Sequence, residues 1–301
     1  MRILITGSSG MLGSDLVKVL KNDGHYVFGF DVLDPRSEEH KPNEFRKIDL
    51  VRGDTLKSAL NEIKADIIVH SAAWADVDGC ENDPAKAKEF NEGMTLNLGL
   101  AASGMDVSFF LISTDYVFDG SRSTPYKEDA ITAPVNVYGR TKLGSENISD
   151  KMFKNNTIIR TCWLYGKFGK NFVDAIIKKA DLGTELAVVN DQVGSPTYTM
   201  DLASGISAII GKGRSGCRRV VNVTNSGSCS WYDLAVEIIK LKGLSGKTAV
   251  RPISSGELDR PARRPAYSVM DGERLKSITG AGLRDWREAL ADYIGVKNGN
   301  L

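Results

Sequence analysis

The 301-residue chain lacks the sequence features of several protein classes. Its four cysteines form no CxxC pair and its three histidines are scattered, which argues against a structural zinc site or a disulfide framework. The net charge is only +1, so we expect no nucleic-acid partner. No apolar run is long enough to cross a membrane, and residues 1–6 carry no signal-peptide pattern. We therefore expect a cytoplasmic protein with no membrane partner.

A glycine-rich turn follows the first predicted strand. Residues 2–6 are typical of a buried strand, and Gly7-Ser8-Ser9-Gly10-Met11-Leu12-Gly13 comes next with the spacing GxxGxxG. An amphipathic helix and a second strand that ends at Asp31 complete the unit. This order predicts a dinucleotide site, in which the glycines let the backbone approach a pyrophosphate and the helix N-terminus faces it. The GK[ST] ending of a Walker loop is absent.

Asp31 bears on the choice of cofactor. An acid at the end of the second strand accepts hydrogen bonds from the ribose hydroxyls and repels a 2′-phosphate. We therefore expect NADH or NADPH as cofactor with a preference for NADH, which the nearby Arg36 weakens. The small residues Ser71-Ala72-Ala73, after a strand predicted at 66–70, would let the cofactor lie close.

Strands and helices continue to alternate along the first half of the chain. Helices are predicted at 54–64 and 84–103, and a further strand at 107–114. Such alternation predicts an α/β protein with a Rossmann-type doubly wound parallel sheet. Ligands of this fold collect at the carboxyl ends of the strands.

The alternation becomes irregular after Trp163. This change predicts a smaller C-terminal substrate-binding lobe, interleaved with the main domain because some of its elements return there. We place the NAD(P)-binding Rossmann domain at residues 1–160 and the lobe at residues 161–301.

A candidate acid–base group lies at Tyr138 and Lys142. The two residues are four apart, so on a helix they share one face. An adjacent ammonium favours the phenolate, which predicts a tyrosine pKa below its ordinary value. Thr114, at the end of a predicted strand, precedes this helix by a long loop, and long loops within compact domains are usually functional.

Several sequence blocks resemble one known family. The N-terminal GxxGxxG, the strand-end Ser113-Thr114 and the Tyr138xxxLys142 pair are similar to the extended short-chain dehydrogenase/reductases. Within that superfamily the chain resembles the dTDP-4-dehydrorhamnose reductases. The blocks that carry the closer resemblance are residues 113–120 (STDYVFDG), 134–139 (PVNVYG), 160–163 (RTCW), 189–197 (VNDQVGSPT) and 263–265 (RRP).

The resemblance implies a reaction and a set of roles. It implies NAD(P)H-dependent reduction of the 4-keto group of dTDP-4-dehydro-6-deoxy-L-mannose to dTDP-L-rhamnose, with a dTDP-linked keto-sugar as substrate. Tyr138 is implied as the general acid, Lys142 as its partner, which also bonds the nicotinamide ribose, and Thr114 as a ligand of the ketone oxygen. Expected cofactor contacts are Gly7, Gly10, Met11, Leu12, Gly13, Asp31, Asp49, Leu50, Ala72, Ala73, Trp74, Ala75, Tyr138 and Lys142. Expected substrate contacts are Thr114, Asp115, Trp163, Asn171 and Arg264, with Arg263 as the alternative to Arg264.

Two other functions fit the same scaffold. One is a nucleotide-sugar epimerase or dehydratase, although Thr114 is not followed by the glutamate that a dehydratase needs. The other is a non-catalytic, cofactor-binding regulatory subunit that resembles the partner of methionine adenosyltransferase. We expect a monomer or homodimer. Asp15 and Glu185 lie near positions at which some relatives share a metal, but no third acid accompanies them, so no metal is predicted.

Overall fold

Strands and helices alternate along most of the chain in the computed structural model, which describes residues 1–213 and 219–297. Cys217 lies outside the described residues. The strands are β1 (Arg2–Thr6), β2 (Tyr26–Asp31), β3 (Glu44–Lys47), β4 (Ile67–His70), β5 (Ser108–Thr114), β6 (Asn155–Thr161), β7 (Leu164–Tyr165), β8 (Leu186–Val189), β9 (Val193–Gly194), β10 (Thr197–Tyr198), β11 (Arg219–Asn222), β12 (Cys229–Ser230) and β13 (Val250–Ile253). The helices are α1 (Met11–Asn22), α2 (Leu56–Ile63), α3 (Val77–Asn82), α4 (Pro84–Lys88), α5 (Met94–Ala101), α6 (Val137–Met152), α7 (Phe172–Asp181), α8 (Thr199–Gly211), α9 (Trp231–Leu241), α10 (Glu273–Thr279) and α11 (Trp286–Lys297).

The central sheet contains seven strands in the order β11-β6-β5-β4-β1-β2-β3, and all neighbours pair in parallel. The strand order reverses between β1 and β4, and a crevice for ligands forms at such a reversal. This architecture confirms the predicted Rossmann-type α/β fold. The edge strand β11 follows residue 160 in the chain and lies in this sheet, while the domain boundary at residue 160 stays a prediction.

Apolar side chains cover the sheet on both faces. Leu16 of α1 and Ile206 of α8 belong to the core on one face, and Leu60 of α2 and Leu98 of α5 belong to the core on the other. Every residue of β5 is buried, as expected for a strand in the middle of a parallel sheet. The two cores hold the strand ends, and hence the crevice, in place.

The helix predicted at 84–103 is interrupted. A π-helical turn at Glu89–Gly93 separates α4 from α5. Its Asn91 is buried, accepts a hydrogen bond from the backbone N–H of Trp74 at 2.9 Å and donates one to Thr141 Oγ1 at 3.0 Å. Turns of this kind are frequent at functional sites. Here the turn joins the strand-end loop after β4 to helix α6.

The irregular second half builds a third core. Short strands pair as β7 with β10, β8 with β13 and β9 with β12. Around them, α7, α9 and α11 bury an apolar cluster that includes Tyr165, Leu234 and Trp286. Within the described segments, no helix combines the length and apolarity that a bilayer crossing requires.

Candidate active site

The glycine turn after β1 has no room for side chains. Gly7 has a φ of +70°, and a Cβ added to it would lie 2.7 Å from the backbone N of Ala72. A Cβ on Gly13 would collide with the carbonyl oxygen of Gly7. No side-chain hydrogen bond from the described residues caps α1 at Gly10, so the N–H groups of its first turn are available to an anion. The residues present therefore fit a pyrophosphate group.

A cavity of about 250 Å³, here called the turn cavity, opens beside this turn. It lies where β1, β2 and β4 end. The predicted cofactor residues that line it are Gly7, Gly10, Asp31, Asp49, Leu50, Ala72 and Ala73. Ser71, one of the small residues expected beside the cofactor, lines it too, and the lining residues that were not predicted from the sequence are Phe30, Val32, Leu33, Ile48, Val51, Phe90 and Met94.

Other predicted cofactor residues lie beside or behind this cavity. Leu12 is buried in the core. The Met11 side chain lies near Gly166 and Gly169, which come from the loop after β7. The ammonium of Lys86 lies over the Trp74 indole, 4.6 Å from the centre of the ring. The predicted residues outside the lining of the turn cavity are Met11, Leu12, Gly13, Trp74, Ala75, Tyr138 and Lys142.

An acidic side chain, Asp31, and a cationic one, Arg36, lie beside the turn cavity. The Asp31 carboxylate accepts hydrogen bonds from the backbone N–H groups of Ser9 and Leu33, both at 2.9 Å. The Nε of Arg36 donates to the backbone oxygen of Ser9 at 2.8 Å. Arg36 thus lies against the same loop as Asp31. A carboxylate has about four acceptor positions, so Asp31 retains acceptor capacity for ribose hydroxyls.

Helix α6 brings the candidate acid to the end of β5. Asn136 caps this helix, because its Oδ1 accepts a hydrogen bond from the Gly139 N–H at 2.8 Å. Tyr138, in the first turn, lies near the Thr114 hydroxyl, whose interaction with the phenol lowers the tyrosine pKa. The Thr114 hydroxyl donates to Asp115 Oδ1 at 2.9 Å. The structure therefore brings Tyr138, Thr114 and Asp115 together at the end of β5.

Lys142 lies on the same helix but has a different partner. Its Nζ donates to the backbone oxygen of Ile112 at 2.7 Å, and burial lowers the pKa of Lys142 to about 8. Burial raises the pKa of Tyr138 above its ordinary value, the charge of Asp115 adds to this rise, and the interaction with Thr114 opposes it. The prediction that Lys142 lowers the tyrosine pKa is therefore wrong for this arrangement. The ammonium is directed to a backbone carbonyl, and burial is the largest influence on the pKa of the phenol.

Asp115 lies behind the reacting groups. Its side chain is buried, and burial raises its pKa to about 7, against the opposing hydrogen bonds from Ser268 and Thr114. The carboxyl group is placed to orient the Thr114 hydroxyl. Asp115 was predicted to contact the substrate. Its burial does not favour a direct contact.

A second cavity, of about 350 Å³ and here called the lobe cavity, opens in the C-terminal half. Tyr116 joins it to the catalytic groups, because its ring is edge-on to that of Tyr138 with 5.7 Å between centroids. The residues that line it are Tyr116, Phe172, Ala175, Ile176, Lys179, Ala187, Val188, Val189, Gln192, Trp231, Leu258, Arg260 and Arg264.

Trp163 supports the wall of the lobe cavity. Its ring stacks on Trp231 with centroids 3.5 Å apart and an interplanar angle of 7°. Its backbone has a φ of +48°, an uncommon conformation for a bulky residue that tends to mark functional sites. A Cβ on Gly194 would lie 2.5 Å from the indole, so glycine is needed there for the ring to fit.

Two predicted substrate residues have partners within the protein. The Asn171 side chain caps α7 by accepting from the Asp174 N–H at 2.9 Å, and it does not line the lobe cavity. The Arg264 guanidinium donates to both carboxylate oxygens of Asp78, each at 2.6 Å. The sequence reasoning also missed Tyr116, Trp231 and Arg260. Tyr116 had a signal in the sequence, because it lies in the block at 113–120, and so did Arg260, because it opens the basic segment that ends in Arg263-Arg264.

Comparison with known proteins identifies the family. The sequence model of the protein family described as RmlD substrate binding domain matches residues 1–298. A probable dTDP-4,6-dihydroxy-2-methyloxan-3-one 4-ketoreductase from Streptomyces antibioticus is 39% identical, over 97% of this chain and 94% of its own. A dTDP-4-dehydrorhamnose reductase from Streptomyces griseus is 38% identical, over 97% of this chain and 92% of its own. The crystal structure of dTDP-4-dehydrorhamnose reductase from Bacillus anthracis in complex with NADP is 32% identical, with a TM-score of 0.88 over 97% of this chain and 98% of that one. The chain therefore belongs to the RmlD family of dTDP-4-dehydrorhamnose reductases within the extended short-chain dehydrogenase/reductase fold.

Proposed function

We propose that this protein uses NAD(P)H to reduce the 4-keto group of dTDP-4-dehydro-6-deoxy-L-mannose, which gives dTDP-L-rhamnose. The observation that carries the proposal is the grouping of Tyr138 with the hydrogen-bonded pair Thr114 and Asp115 at the end of β5. It lies next to Tyr116 of the lobe cavity. The names of the relatives, two of which are dTDP-4-dehydrorhamnose reductases, support the same reaction.

The side chains divide the work of a ketone reduction. The reduced nicotinamide, when bound, supplies the hydride that adds to C4 of the sugar. Tyr138 delivers a proton to the ketone oxygen as the hydride adds. The Thr114 hydroxyl has one proton, which it donates to Asp115 Oδ1 in this structure and would donate to the ketone oxygen when the substrate is bound. Lys142 adds a positive charge on the same helix.

The glycine turn is the proposed pyrophosphate site, and Asp31 the proposed ribose site. Asp31 favours NADH, because a carboxylate repels a 2′-phosphate. Arg36, which bonds the loop that carries Ser9, provides a guanidinium for that phosphate. We therefore propose that both cofactors are used and that NADH is preferred.

A turnover assay tests the proposal. The protein is mixed with the 4-keto substrate and with NADH or NADPH, and loss of the reduced cofactor is followed by absorbance. dTDP-glucose, which has no ketone at C4, is the matched control. Rapid oxidation with the keto-sugar alone supports the reductase. An epimerase would convert the sugar without net oxidation, and a regulatory subunit would leave both compounds unchanged; either result contradicts the proposal.

A further inference from the structure

Three side chains of helix α6 lie on one of its faces, at intervals of four residues: Tyr138, Lys142 and Glu146. The proposed mechanism uses the first two. The third is buried beside its ion-pair partner Arg160, and each of these two side chains is only 5% exposed. Glu146 is therefore a buried carboxylate one helical turn from the ammonium of the site, with no part in the proposed chemistry.

The Glu146 carboxylate joins α6 to the strand end that carries Thr114. Arg160 of β6 binds both of its oxygens, with Nε at 3.0 Å from Oε1 and Nη2 at 2.7 Å from Oε2. The Ser113 hydroxyl donates to Oε1 at 2.5 Å. Ser113 and Arg160 lie opposite each other in the sheet, and Thr114 follows Ser113 directly. One carboxylate thus holds the helix of the general acid against the strand of the residue that binds the ketone oxygen.

Arg160 extends the same network to the loop between β5 and α6. Its Nη1 donates to the backbone oxygen of Glu128 at 3.2 Å, and its guanidinium lies 5.2 Å from the centre of the Phe118 ring. The side chain of Glu128 accepts a hydrogen bond from the backbone N–H of Asn222, on the next strand of the sheet, at 3.1 Å. The network therefore restrains the helix, the loop and three neighbouring strands in one arrangement.

Stability alone does not account for this ion pair. Apolar side chains of similar volume usually stabilise a core at least as well as a buried pair of charges, because removing the charges from water is costly. The position of Glu146 gives the pair a second effect. Burial lowers the pKa of Lys142 to about 8, and the charge of Glu146 opposes that fall. The carboxylate thus favours the charged form of the lysine that donates to the backbone oxygen of Ile112.

Other titratable groups surround Lys142. His70 of β4 is buried, and burial together with the charge of Lys142 lowers its pKa to about 3, so it is neutral at neutral pH. The Tyr138 phenol and the Asp115 carboxyl lie on the side of the reacting groups. Further charged or titratable residues on the elements that pack against α6 are Cys80 and Glu81 of α3, Lys86 and Lys88 of α4, Glu89 and Glu92 of the π-helical turn, Tyr116 after β5 and Arg160 of β6. Substitution of Glu146 leaves all these groups in place, so a change in the titration of Lys142 is due to the lost carboxylate.

We propose that Glu146 is a positioning residue for the reduction, which fixes α6 against the end of β5 and keeps the Lys142 ammonium charged. Arg160 holds the carboxylate in the orientation that serves both purposes. The part that concerns turnover rests on the proposed function, whereas the link between Glu146 and Lys142 does not.

Carbon NMR tests this link without turnover. The protein is labelled with lysine that carries ¹³C at Cε, and the Lys142 signal is the one that Lys142→Met removes. Glu146→Gln should lower the midpoint of this signal by about one to two pH units, as for the loss of a unit charge about 6 Å away. Asp150→Asn, which removes an exposed carboxylate from the same helix, is the matched control and should move the midpoint by less than about 0.3 pH unit.

A double variant guards against misfolding. Glu146→Gln leaves Arg160 without its counter-ion, and an unpaired buried charge destabilises a core. Glu146→Gln/Arg160→Gln removes both charges at once. It should move the midpoint in the same direction by a smaller amount, because the lost guanidinium opposed the carboxylate.

Turnover measured against pH tests the positioning role. With the keto-sugar, kcat should fall on the alkaline side as Lys142 loses its proton, and in Glu146→Gln this fall should move to lower pH by the same amount as the NMR midpoint. A structural role alone would lower kcat by one factor at every pH, which would overturn the proposal. An unchanged Lys142 midpoint in both Glu146 variants, or an equal change in Asp150→Asn, would overturn it as well. Wild-type protein that oxidises no cofactor refutes the reductase, and the NMR titration then still decides whether Glu146 holds the Lys142 charge.

Discussion

The turn cavity and the lobe cavity differ in both origin and charge. The turn cavity is built from strand ends of one regular sheet, and its only charged lining residues in the described chain are Asp31 and Asp49. The lobe cavity is lined mainly by α7, β8 and α9 together with residues 258–264, and its lining includes three cations and no described acid. One cavity therefore offers backbone N–H groups and acceptors, while the other offers cationic donors. The candidate catalytic group of Tyr138, Thr114 and Asp115 lies at the end of β5, near Tyr116 of the lobe cavity.

This difference suggests a division of labour between the cavities. Backbone N–H groups at a helix N-terminus bind a pyrophosphate without a cationic side chain. A substrate that enters an open lobe instead needs side chains that recognise it. Variants that change one cavity and leave the other intact are therefore the most informative. We expect the largest effect from a change of the catalytic residue Tyr138.

Tyr138→Phe should remove the proton donor and leave both cavities intact. We expect turnover to fall by about 10²- to 10⁴-fold, the range for loss of a general acid. Binding of NADH should change little, because the phenol lies outside the lining of the turn cavity. Steady-state kinetics and cofactor titration measure the two quantities. A Tyr138→Phe protein with full activity would remove Tyr138 from the mechanism.

The buried acid behind Thr114 should respond to pH. Burial raises the pKa of Asp115 from an ordinary value near 4 to about 7. Its contribution to stability is therefore fully present at low pH and is lost as the pH rises through 7. Asp115→Asn should become more stable relative to the wild type between pH 5 and pH 8, by up to about 3 kcal/mol, because about two pH units of that interval lie below the folded-state pKa and each is worth about 1.36 kcal/mol.

Urea unfolding at the two pH values measures this difference. Asp49→Asn, which changes an exposed acid of the turn cavity, is the matched control. A gain in stability for Asp115→Asn that is the same at pH 5 and pH 8 would contradict the raised pKa.

The rim of the turn cavity should set the choice of cofactor. Asp31→Ala should weaken NADH binding by about 10- to 100-fold, through loss of hydrogen bonds to a charged group, and weaken NADPH binding less. Arg36→Gln is the reciprocal variant and should weaken NADPH binding more than NADH binding. Titration of each variant with each cofactor gives the ranking. The opposite ranking for Asp31→Ala would contradict the proposed NADH preference.

The same contrast explains how far the sequence predicts the site. The residues of the turn cavity follow one another at strand ends, so periodicity and glycine spacing are enough to identify Gly7, Asp31 and Ala72. The lobe cavity depends on how distant segments meet, and no local pattern reports that Trp231 packs on Trp163. The four-residue spacing of Tyr138 and Lys142 predicts that they share one helix. It gives no indication that the Lys142 ammonium donates to the backbone oxygen of Ile112.

The destination of the hydride tests the central claim most directly. NADH or NADPH that carries deuterium on one face of C4 of the nicotinamide is turned over with the 4-keto sugar, and the product is analysed by mass spectrometry and NMR. The proposed reaction predicts one deuterium at C4 of the product sugar from one face of the cofactor and none from the other. A product without deuterium, or with deuterium at another carbon of the sugar, would contradict hydride delivery to the ketone that Tyr138 protonates.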